Sequence, residues 1–88
     1  MTIEVSVYPN PFVNSISIEV ICEEEKNCII LLADIQNERI IRMMGAGLGK
    51  GLNKIPLQNL QALQLGAYQL DIKDPEGDTL YKTKLIKQ

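Results

Sequence analysis

The chain contains no histidine and no tryptophan, and its 88 residues include only one phenylalanine and three tyrosines. Without histidine it lacks the commonest general base and the commonest metal ligand at neutral pH. Two cysteines are too few soft ligands for a zinc site. There is no apolar run near the length needed to cross a bilayer, and no charged start followed by an apolar stretch and a small-residue cleavage site. Nine basic against eleven acidic side chains leave a formal charge of -2, without the basic excess of nucleic-acid or anionic-membrane binders. These absences point away from an enzyme and give no ground for a cofactor, a metal, nucleic acid or direct membrane insertion.

What is present is strand chemistry. No internal repeat, low-complexity linker or second domain is visible, so a chain of this length that is 45% hydrophobic makes one small domain around a single core. Residues 2–7 and 15–20 alternate strictly and are rich in β-branched side chains, which places Ile3, Val5, Val7, Ile16, Ile18 and Val20 inward. The continuous apolar run from Cys28 to Asp34 predicts a central strand buried on both faces, with residues 39–44 as its hairpin partner. Ile55 and Leu57 share a face in a strand over 53–57. Tyr68, Leu70 and Ile72 point inward from a strand over 67–73, and a last strand over 79–87 pairs with it across residues 74–78. Only residues 59–64 look helical, with Leu60, Leu63 and Leu65 expected to plug one end of the core. About seven short strands predict an all-β, immunoglobulin-like antiparallel sandwich, with a small open barrel as the alternative.

Three clusters invite a chemical reading. The glycines from Gly45 to Gly51 fail as a dinucleotide fingerprint because Lys50 stands where glycine is needed. They fail as a P-loop because Gly51 follows that lysine, so a flexible inter-strand connection is expected. Asp74, Glu76 and Asp78 around Gly77 do not match calcium-loop spacing. Cys22 has no visible activating partner, and Glu23, Glu24 and Glu25 beside it would blunt a thiolate. Cys22 and Cys28 bracket what reads as a tight antiparallel turn. Opposed residues there lie at disulfide-compatible separations, and an oxidising compartment would permit a bridge. Two small buried apolar residues fit the same positions.

The ends of the chain carry the functional signal. Val7-Tyr8-Pro9-Asn10-Pro11-Phe12 lies near the start, Gly51-Leu52-Asn53 and Gly66-Ala67-Tyr68-Gln69-Leu70 follow, then Glu76-Gly77, and Lys84-Leu85-Ile86-Lys87-Gln88 comes last. In this order the motifs resemble the C-terminal sorting domain of the type IX secretion system, the Por secretion tail family of Bacteroidetes cargo proteins, over nearly the whole chain. One departure is that the turn after Asp34, where the family usually has glycine, carries Asn37, which also tolerates the left-handed region.

The resemblance implies that residues 1–88 form a single sorting domain from a longer secreted precursor. It would carry an attached cargo across the outer membrane, via the periplasm, for release or cell-surface attachment. The implied partners are the type IX translocon, an outer-membrane shuttle, and a cell-surface sortase that removes the domain in many members. By resemblance, Lys84, Leu85, Ile86, Lys87 and Gln88 are the residues recognised. Tyr8, Pro9, Asn10, Pro11, Gly66, Tyr68 and Gly77 are motif positions with a structural or a recognition role. Lys82, Lys84 and Lys87 also suit the protection of a sheet edge, and chain-end fraying predicts that residues 85–88 add little stability. A fibronectin-like adhesion or carbohydrate-binding module, or an inert spacer, shares the fold expectation.

Overall fold

The computed structural model describes residues 3–88 as two antiparallel sheets with no helix among the described residues. The strands are β1 (Ile3–Tyr8), β2 (Ile16–Cys22), β3 (Lys26–Asp34), β4 (Arg39–Leu48), β5 (Gly51–Leu57), β6 (Gly66–Lys73) and β7 (Thr79–Lys87). One sheet has the order β1-β2-β5 and the other β4-β3-β6-β7. In the constant-type immunoglobulin arrangement the fourth strand joins the first sheet; here β4 stays beside β3. The architecture is an immunoglobulin-like β-sandwich, and the open barrel is not formed.

The alternating pattern of the sequence translates directly into burial. In β2, Ile16, Ile18, Val20 and Cys22 are buried; in β6, Tyr68, Leu70 and Ile72 are. Together with Cys28, Ile30, Leu32, Leu57 and Leu85 they form one apolar core. On β1, Ile3, Val5 and Val7 have the expected phase but are only half-buried, because β1 is an edge strand. Fully burying such a side chain contributes roughly 1.5–3 kcal/mol.

Several expectations need correction. The apolar run of β3 is buried on one face only: Cys28, Ile30, Leu32 and Asp34 point into the core, while Ile29, Leu31 and Ala33 remain half-exposed because no layer covers the outer face of the second sheet. Residues 23–25 do not make a β2–β3 hairpin. They carry the chain from one sheet to the other, so Cys22 and Cys28 are not ladder partners. The glycine run is no loop either, since Gly45 and Gly47 lie within β4 and only residues 49–50 connect it to β5.

Asn53 organises that connection. Its side-chain Oδ1 accepts from Gly49 N (2.8 Å) and its Nδ2 donates to the Gly49 carbonyl (2.9 Å). In the turn after β3 the left-handed residue is Glu38 (φ 50°), not Asn37. Asn37 instead donates its Nδ2 to Asp34 Oδ2 (2.8 Å). In the segment before β6, Leu60 is fully buried and plugs the core, whereas Leu65 is 73% exposed and does not.

Candidate functional site

The two terminal motifs meet. The corner after β1 contains two cis peptide bonds, Tyr8-Pro9 and Asn10-Pro11, and lies along the outer edge of β7. The Asn10 side chain donates its Nδ2 to the Lys84 carbonyl (3.1 Å) and accepts at Oδ1 from Ile86 N (3.0 Å). One amide side chain thus engages a donor and an acceptor of β7 together, as a neighbouring strand would. Phe12 N then donates to the Ile86 carbonyl (2.8 Å), and Gln88 N donates to the Phe12 carbonyl (2.8 Å). Phe12 and Lys87 form a parallel bridge. The end of β7 is therefore closed on both sides, by β6 on one and by the Asn10–Phe12 segment on the other.

Packing fixes the same junction from within. Phe12 is fully buried, with its ring edge-on to Tyr68 at a centroid separation of 6.0 Å. Such aromatic pairs add about 0.5–1.5 kcal/mol beyond their burial. Tyr68 in turn donates its hydroxyl to the Gln64 carbonyl (2.7 Å), and burial pushes its pKa up. The motif tyrosine thus holds the segment leading into β6. Tyr8 remains 46% exposed and donates to Glu19 Oε2 (2.5 Å) on β2. That bond, with smaller contributions from desolvation and the Glu19 charge, raises the phenol pKa.

Strand alternation divides the terminal residues into two sets. Leu85 and Lys87 face inward, at 1% and 5% exposure. The Lys87 ammonium donates to the Gln88 carbonyl (2.9 Å). Lys84, Ile86 and Gln88 face outward, and Asn10, Pro9 and Pro11 are exposed beside them. The second set is exposed and the first is not. The expectation that residues 85–88 add little stability does not fit this arrangement, because this end of β7 is bonded to Phe12 and Leu85 is part of the core.

Two further motif positions have backbone conformations that favour glycine. Gly66 and Gly77 have φ of +140° and +97°, where a side chain is strained. Gly77 sits in the β6–β7 turn, which the Asp74 carboxylate organises by accepting from Glu76 N (3.0 Å) and Asp78 N (2.9 Å). The carboxylates of Asp74, Glu76 and Asp78 lie within 4.8 Å of one another at this hairpin tip, but Asp74 Oδ1 is already occupied by backbone donors. Cys22 and Cys28 are buried free thiols on opposing sheets.

Sequence reasoning missed the bridging role of Asn10 and the anchoring role of Phe12. Their partners lie on β6, on β7 and at Gln88, with Asn10 separated by 74 and 76 residues from the groups it binds. No local pattern reports so distant a pairing.

The terminal motifs of this small sandwich form one patch with exposed outward residues. Residues 6–88 match the family described as the secretion system C-terminal sorting domain, and the chain belongs to that family. It is accordingly a C-terminal sorting signal for type IX secretion, which implies export to the cell surface or the extracellular space. No curated protein matches the chain.

Proposed function

We propose that the type IX machinery reads the folded junction of the two motifs, through the outward groups of Asn10, Lys84, Ile86 and Gln88, while Leu85 and Lys87 hold that surface from inside. The observation that carries this reading is the pair of hydrogen bonds between the Asn10 side chain and one edge of β7, donated to the Lys84 carbonyl and accepted from Ile86 N. A preformed surface avoids the ordering cost that an unfolded tail would incur on binding. The domain would fold in the periplasm at the C-terminal end of a longer precursor and present this patch to the translocon and the outer-membrane shuttle. It would cross with its cargo, and a cell-surface sortase would act upstream of β1. Nothing in the domain performs chemistry in this scheme.

The adhesion or carbohydrate-binding alternative has no support. Phe12 and Tyr68 are buried and Tyr81 is half-buried, while the exposed Tyr8 is bonded to Glu19.

The test is a fluorescent reporter with a general export signal, fused ahead of residues 1–88 in a bacterium that has a type IX system. Lys84→Glu and Ile86→Asp should leave the reporter in the periplasm while the purified domain unfolds near the parental midpoint. Lys54→Glu, an exposed change on the other sheet, should be exported normally. Parental export of both β7 variants would overturn the assignment. If either charge change unfolds the domain, Lys84→Ala decides the question in its place.

A further inference from the structure

We propose that Cys22 and Cys28 are a redox pair that forms an inter-sheet disulfide when the chain folds under oxidising conditions, the structure described above being the dithiol form. They are the only two cysteines in the chain, and both belong to the single core cluster, at 3% and 2% exposure. Cys22 is the last residue of β2 and Cys28 the third of β3, so they approach from opposite sheets at the end of the sandwich where residues 23–25 cross over.

One ladder neighbour of each cysteine is small, Gly51 beside Cys22 and Ala46 beside Cys28, while Ile3 flanks Cys22 on its other side. Burial is the main cause raising the Cys28 pKa, and Cys22 is the next. Two buried thiols of one core, on strands of different sheets joined by a three-residue link at this end, are positioned for a bond between the layers.

The chemistry needs an external disulfide, here oxidised glutathione. One cysteine thiolate attacks a glutathione sulfur and releases one glutathione thiolate. The second cysteine thiolate displaces the remaining glutathione and closes the Cys22–Cys28 bond. The chain loses two protons and two electrons, and one glutathione disulfide becomes two glutathione thiols. Because both thiols are nearly inaccessible in the closed core, and the reactive species is the thiolate, the exchange belongs to the folding chain or to transient opening of this end.

This inference is independent of the export reading, and its test uses only the purified 88-residue chain. The chain is refolded in a glutathione redox buffer, alkylated in denaturant and weighed. The expected product is a monomer without alkyl or glutathione adducts, lighter than the reduced chain by two hydrogen atoms. Its thermal midpoint should lie above that of the reduced chain, and reductant should abolish the difference. Cys22→Ser and Cys28→Ser should each show no such redox-dependent shift. Two alkylated cysteines, mixed glutathione adducts or linked dimers after oxidative refolding would overturn the proposal. So would a bridge that is less favoured against glutathione in native buffer than in denaturant, since the fold would then oppose the bond.

Discussion

Replacing Asn10 by alanine isolates the junction from the rest of the core. The substitution removes the donor to the Lys84 carbonyl and the acceptor for Ile86 N while leaving Phe12 in place. A net hydrogen bond contributes about 0.5–1.5 kcal/mol. Two such bonds span about 1–3 kcal/mol, and because both are exposed and water replaces the lost partners, the pair is expected to be worth about 1–2 kcal/mol, the lower part of that span. For a domain of this size each kcal/mol moves the thermal midpoint by roughly 4–8 °C, so the midpoint should fall by about 4–16 °C.

Urea denaturation followed by far-ultraviolet circular dichroism measures the change directly, and the slope should stay constant if the unfolded state is unaffected. Asn10→Asp provides an internal check, because a carboxylate can still accept from Ile86 N but cannot donate to the Lys84 carbonyl. It should recover part of the loss. A change below about 0.5 kcal/mol for Asn10→Ala, the lower limit for a single net hydrogen bond, would refute the claim that this side chain joins the two motifs.

Other expectations test the supporting structure. Leu70 is fully buried, so Leu70→Ala should cost about 2–5 kcal/mol in equilibrium unfolding. A negligible cost would mean that β6 presents its other face to the core. Tyr68→Phe removes the hydroxyl bond to the Gln64 carbonyl and should cost about 0.5–1.5 kcal/mol, with the ring packing retained. Asp34 has a lowered pKa, chiefly through the Asn37 side-chain hydrogen bond. A depressed carboxylate contributes stability above its unfolded pKa of about 3.9 and loses it as pH falls through the folded value. Urea midpoints should therefore drop on acidification below that range, and Asn37→Ala should flatten the drop. An unchanged acid profile in Asn37→Ala would show that the turn does not set this titration.

The strands were legible because alternate residues in β2 and β6 differ so plainly in polarity. The run from Cys28 to Asp34 misled for the opposite reason. Apolar side chains on both faces do not reveal that one face lacks a covering layer. Local propensity places Gly45 and Gly47 in a loop, yet β3 supplies a ladder that overrides it. Sheet membership was also hidden. A three-residue acidic link can turn a hairpin or cross between layers, and only the pairing of β2 with β5 and of β3 with β6 decides which. At the candidate site the motif residues were visible, but not their division into inward and outward sets. Lys87 is buried while Lys84 is exposed, a difference of strand phase that the composition of the motif cannot convey.

The bond between the first corner and the last strand has a kinetic consequence. Its partners lie more than seventy residues apart, so the entropy of closing that loop must be overcome before the contact contributes anything. In a sandwich built from non-local pairings, such contacts belong to slow folding, on the scale of about milliseconds to seconds. Before the corner docks, Phe12, Tyr68 and Leu85 lack the contacts that bury them, and neither motif has its native shape. A truncated or half-folded precursor can display either sequence, but not the two joined. On the proposed reading, a partner that engages both at once would also sense that folding has finished, and the patch would serve as a checkpoint on the precursor as well as its address.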